Sequence, residues 1–162
     1  MLTQNSKEGK NAWKARKQAL EDVENSLEKC GGLVSTKGGC FRSLADLCRG
    51  LRERLNDSQS NLKPLAAKVI GLLLGAVDGV SQAKLGKIVF SHLISNAMND
   101  NKKLMREASI DALKRGTEKL PIEGNGVNPL SMETFLASLV SELKDSDFKV
   151  SFQIKSSIDV LR

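Results

Sequence analysis

Apolar residues recur along this chain at spacings of three and four, the period of helices that bury one face. From Asn11, the stretch NAWKARKQALEDVENSLEKC sets Trp13, Arg16, Ala19/Leu20, Val23 and Leu27 on one side of a first helix. The Gly-rich link GGLVSTKGG follows. A second helix runs from about Phe41 to Leu55, with Leu44, Leu47/Cys48, Leu51 and Leu55 facing inward. The third starts after Ser58 or Asn61, and Pro64 is tolerable because proline fits a first helical turn. The fourth spans about Ser81 to Met98, with Leu85, Ile88/Val89, His92/Leu93 and Asn96 on its inner stripe. NKKLMREASIDALKRGTEKL is the fifth, and Pro121 helps to end it. After PIEGNGVNP comes a sixth helix over 129–144, with Ser131 or Asn128 as its cap, and a seventh begins near Asp147. The opening of the seventh, FKVSFQI, also alternates like a strand, and only its place in a repeat decides it for helix.

That repeat is written in the turns. Leu55-Asn56-Asp57 and Met98-Asn99-Asp100 stand 43 residues apart, and Leu143-Lys144-Asp145 follows 45 residues later. Matching Met105-Arg106 to Ala15-Arg16 brings the first helix into the same phase. One helix pair per period of this length predicts an all-α fold, an α-solenoid of about three and a half HEAT-like pairs, each burying its apolar face on its neighbours. Residues 1–10 read as a polar tail and 11–162 as a single domain. In this frame Asp57, Asp100 and Asp145 are expected to cap the helices that follow them, and Arg106 to bond across its turn to the neighbouring repeat. The helix from Asp147 offers Val150, Ile154, Ile158 and Leu161 on one face with no partner helix, which marks it for self-association.

Composition narrows the function. No apolar run approaches the roughly 18 residues of a membrane span, and the first ten residues have no apolar core of a signal peptide. Cys30, Cys40 and Cys48 are read as reduced thiols in a cytosolic protein, with neither the CxxC spacing nor the histidines of a zinc site. The one histidine, His92, falls on an apolar stripe and reads as a buried structural residue. GGLVSTKGG lacks the P-loop spacing and a preceding strand. An enzyme is therefore not expected, nor a cofactor or metal. The net charge of +6 favours an acidic partner.

The repeat puts all the Asp turns on one edge, and that edge carries Trp13, Lys14, Ser58, Gln59, Asn61, Lys63, Asn101, Lys102, Lys103, Phe148 and Lys149. A tryptophan at a helix start, without apolar neighbours before it, suits an exposed anchor; its alternative is a ring folded over the first helix pair. An aromatic with lysines beyond it would grip a large acidic partner. NAWKARKQALEDVE resembles the opening of a TOG domain, RERLNDSQSNLKPLA its second turn and NDNKKLMREASIDAL its third. The likeness covers residues 11–117 well and the remainder loosely, and it is nearest to the microtubule-polymerase branch of that family.

The resemblance implies binding of the tubulin dimer or microtubule through the row of turns, in the cytoplasm at microtubules, spindle or centrosome. Trp13 matches the residue that reaches β-tubulin, Ser58, Gln59 and Asn61 the second turn, Lys102 and Lys103 the third, and Lys149 the fourth. TOG domains usually carry six helix pairs, so this chain is a candidate for a domain incomplete at its C-terminal end. The rival functions are a helical-repeat scaffold for protein docking and, behind it, nucleic-acid binding. Against the latter, aromatics are only 4%, tyrosine is absent and the lysines are interleaved with 19 acids. Neither nucleic acid nor a membrane is an expected partner.

Overall fold

Residues 5–31 and 33–119 are described by the computed structural model, residues 5–10 by their backbone alone. Among them are five helices and no strand: α1 (Asn5–Cys30), α2 (Cys40–Arg54), α3 (Leu62–Gly75), α4 (Gly79–Asn99) and α5 (Lys103–Thr117). The fold is all-helical. The expected sixth and seventh helices, Asp145, Phe148 and Lys149 lie outside the described residues.

Boundaries follow local chemistry. α1 begins at Asn5, not Asn11, so Trp13 lies about two turns inside the helix rather than at its start. α4 begins at Gly79, before the expected Ser81, because Asp78 is its N-cap and accepts the Ser81 amide at 3.0 Å. The third helix starts directly after Asn61. α5 ends at Thr117, whose hydroxyl bonds back to the Leu113 and Lys114 carbonyls.

Packing is sequential. α3 lies between α1 and α5, α2 packs on α4, and α4 also packs on α5. This explains why α3 reads apolar nearly all round: Leu62, Ala66, Ala67, Val69, Ile70, Leu73 and Leu74 are all buried. Of the expected inner stripes, Cys48, Leu51, Leu55, Leu85, Val89 and Leu93 are buried as anticipated. Leu44, Leu47 and Ile88 pack half-buried against them. His92 does not: it is half-buried, with Nδ1 3.2 Å from the Ser91 hydroxyl, because Leu93 takes the inward direction next to it.

Several of the long-range side-chain contacts span 41 to 44 residues. Arg16 meets Asp57 across 41 residues, Thr36 meets Asp78 across 42, and Lys119 meets Gly75 across 44. On the edge that carries the α1–α2 link, Val34 N–H donates to the Ala76 carbonyl at 2.7 Å and the Thr36 hydroxyl to Asp78 at 2.8 Å. Gly31 and Gly38 bend that link with φ of 55° and 62°, angles that glycine adopts without penalty.

Candidate functional site

The turn between α2 and α3 is organised by one carboxylate. Leu55 is fully buried and anchors the end of α2, and Asp57 follows with only 1% of its side chain exposed. Its Oδ1 accepts the Gln59 amide at 2.9 Å and Arg16 Nη2 at 3.1 Å. Its Oδ2 accepts Arg16 Nε at 2.9 Å and Arg54 Nη1 at 3.0 Å. Burial alone would raise the Asp57 pKa. The Arg16 bond, the Gln59 amide and the two guanidinium charges outweigh it and hold the carboxyl below its ordinary range. Asp100 does the same job more lightly: Oδ1 accepts the Lys102 amide at 2.8 Å, and Oδ2 stands 3.9 Å from Lys63 Nζ.

Two expectations change here. Asp57 and Asp100 do not cap the following helices; each accepts the amide two residues on, an Asx turn, while the N-cap positions Asn61 and Lys102 make no side-chain cap bond. Arg106 donates to the carbonyl of its own turn, Asp100, at 2.8 Å. Bonds from another helix to these turns are made instead by other cations: Arg16 of α1 reaches Asp57, and Lys63 of α3, six residues after Asp57, reaches Asp100.

The two turns are brought side by side. Lys102 Nζ donates to the Ser60 hydroxyl at 2.6 Å, and Ser60, Lys63, Asp100, Asn101 and Lys102 line a shallow depression of about 290 Å³. Ser58, Gln59, Asn61, Asn101, Lys102 and Lys103 are exposed, as the sequence suggests, and Lys63 is half-buried. Lys103 is drawn to Glu107 at 3.6 Å, whereas Lys14 and Lys102 have no carboxylate partner among the described residues.

Trp13 departs from the exposed anchor: it is half-buried and packs against the core, one helical turn before Arg16, with Lys14 Nζ 6.0 Å from its ring centroid. Lys149 lies outside the described residues. Leu104 was missed, and Ser60, within the expected stretch Ser58 to Lys63, was not singled out. Ser60 shares its phase with Lys103, three residues past the turn Asp, and that register was the available signal. The buried face of α5 runs through Met105, Ser109, Ala112, Leu113 and Gly116, and Leu104 lies off that face, 66% exposed.

Other chemistry is sparse. Burial pushes the Cys48 thiol up to about 12, despite nearby Arg49, so it stays protonated. Among the described residues no cluster of His, Cys, Asp and Glu could hold a metal ion, and no helix is long and apolar enough to cross a membrane. Compared with protein-family models, with curated proteins and with solved structures, the chain matches none of them.

Proposed function

We propose that this chain is a TOG-like, HEAT-type α-solenoid that binds the tubulin dimer or microtubule through the edge formed by its Asp turns. One observation carries the reading: the turns at Asp57 and Asp100 stand side by side, joined by Lys102 and Ser60, with polar and basic side chains of both directed outward. The long-range contacts that span 41 to 44 residues and the sequential packing of α1, α3 and α5 support the repeat half of it. The resemblance of its turns to those of TOG domains supports the partner, and tubulin's acidic surface suits the net charge of +6. On this reading the protein works in the cytoplasm as a microtubule-associated factor, without catalysis.

The edge would act by complementarity. Lys102 and Lys103 supply attraction that steers encounter, and such rim charges mostly alter association rate and salt dependence. Trp13 supplies apolar contact from its exposed part, next to the Arg16–Asp57 rung that fixes the second turn.

Co-sedimentation and fluorescence binding with purified tubulin test this, with duplex DNA alongside. Lys102→Ala with Lys103→Ala should weaken tubulin binding mainly at low salt and leave melting unchanged. Trp13→Ala should weaken it by about thirtyfold, the cost of an aromatic hot spot of about 2 kcal/mol. Wild-type protein that ignores tubulin at low salt, or prefers DNA, ends the proposal. A second reading, a scaffold for other proteins, is favoured by the half-burial of Trp13 against the core. It is upheld if Trp13→Ala lowers the melting temperature by several degrees and leaves tubulin binding untouched.

A further inference from the structure

We propose that the groove between α3 and α5 is a docking site for an amphipathic helix of another protein, one with a carboxylate at the end of its apolar face. The groove encloses about 500 Å³ on the flank of the molecule, and it is independent of the tubulin reading. Its floor is made of small residues, Gly71, Ala108 and Ala112. A Cβ on Gly71 would stand 2.9 Å from the Ala112 Cα, so the two helix backbones meet there and leave the space above them open. The half-buried Leu65 on α3 and the 66% exposed Leu104 on α5 form apolar walls.

The shape suits a helix. Leu104, Ala108, Asp111 and Arg115 follow one face of α5, and Leu104 to Arg115 covers about 16 Å, or three turns, at 1.5 Å per residue. Two helices side by side with a floor of small residues accept a third lying lengthwise, with apolar anchors at i, i+4 and i+7.

Charge selects which helix. Lys68, on the groove wall, is held by Glu24 and Glu28 of α1. The hydrogen bond that Lys68 donates to Glu24 leads in raising its pKa, so it stays charged and compensated. Glu107 is paired with Lys103 at 3.6 Å and Asp111 with Lys114 at 4.0 Å. Arg115 is the cation of this lining with no carboxylate partner among the described residues, and its stem runs along Gly71 and Gly75 at the far end of the groove. A glutamate or aspartate on the incoming helix would complete an arginine–carboxylate pair there, whereas a lysine would be repelled.

The test uses the full chain and two fluorescein-labelled helical peptides of about 15 residues, long enough for the groove at 1.5 Å per residue. Both carry leucines at i, i+4 and i+7; one has glutamate at i+11 and the other lysine. Fluorescence anisotropy should show the glutamate peptide binding at least about tenfold tighter than the lysine peptide. Leu104→Glu should abolish that binding, and Arg115→Glu should reverse the preference between the peptides. Lys102→Ala alone, whose side chain bonds Ser60 and does not line the groove, should leave peptide binding unchanged, which separates this surface from the turn edge. Leu104 and Arg115 are exposed, so melting temperatures should confirm that both variants fold. Failure of both peptides to bind overturns the proposal, as does binding insensitive to Leu104→Glu or a preference that survives Arg115→Glu.

Discussion

The two edges of this molecule, about 30 Å apart along the length of α4, are held together by different chemistry. At the edge bearing Asp57 and Asp100, segments distant in sequence are joined by charged side chains: Arg16 on Asp57, which Arg54 braces from within the same turn, and Lys63 on Asp100. At the opposite edge most bonds end on backbone, the Thr36 hydroxyl on the Asp78 carboxylate being an exception. Val34 N–H meets the Ala76 carbonyl, Lys119 Nζ meets the Gly75 and Val77 carbonyls, and Gln82 Nε2 donates to the Leu74 and Arg115 carbonyls at 3.0 Å each. Gln82 Oε1 also accepts the Lys119 amide at 3.1 Å, so one buried neutral side chain ties the ends of α3 and α5 to the start of α4. The charged edge leaves cations at the surface and is open to salt and acid. The carbonyl edge has fewer charges, Asp78 and Lys119 among them, and depends more on a buried side chain of one shape.

The largest effect should come from Gln82→Leu. Replacing a fully buried amide by an isosteric apolar side chain strands two carbonyls and an N–H, at about 1–3 kcal/mol for each group left unsatisfied. A loss of about 3 kcal/mol or more in urea unfolding, unaffected by salt, is expected. A neutral result would mean that the carbonyl edge is not the stronger one.

Asp57→Ala should rank second. It uncouples α1 from the second turn, but Arg16 and Arg54 are 30% and 32% exposed and can rehydrate. A cost of about 2 kcal/mol is expected, short of the full penalty for breaking a buried pair. Unlike Gln82→Leu, the variant should shrink the difference in melting temperature between low and high salt.

Acid should reach both edges through one group each. The Ser81 amide and hydroxyl, with the Thr36 hydroxyl, draw the Asp78 carboxyl down to about 2 from its ordinary 3.8. The stability it contributes is complete above about pH 4 and drains as pH falls through 2. Asp57 is also lowered, so its contribution likewise disappears on acidification below the ordinary carboxylate range. Melting curves between pH 5 and pH 2 should show the wild type losing more stability than Asp57→Ala or Thr36→Val, and equal slopes would contradict the assignment.

The smallest effect concerns Ser109, on α5. Its hydroxyl is buried without a hydrogen-bond partner among the described residues. Ser109→Ala should raise stability by about 1 kcal/mol, while leaving the salt and acid dependence of both edges unchanged. A destabilised variant would mean that the hydroxyl is satisfied after all.

Much of the helix content was determined by the sequence itself, because periodicity three and four is a property of single helices. The stripes of α2 and α4, the tolerated Pro64 and the exposed turn residues Ser58, Gln59, Asn61 and Asn101 to Lys103 follow from it. The echo of Asn-Asp turns likewise determined where equivalent positions recur. What only the tertiary structure decided are the choices made between equivalent groups. Periodicity cannot say whether a turn aspartate bonds its own helix or the arginine of another, since both lie within reach of the chain; proximity of α1 made Arg16 the partner of Asp57. Nor could it say which side of Trp13 is covered, because that depends on how far α1 extends and what lies beside it. Leu104 and Gly71 show the same limit: the one is left exposed and the other pressed against Ala112 by the approach of α3 to α5. A groove belongs to two helices at once, and no single stretch of sequence contains it.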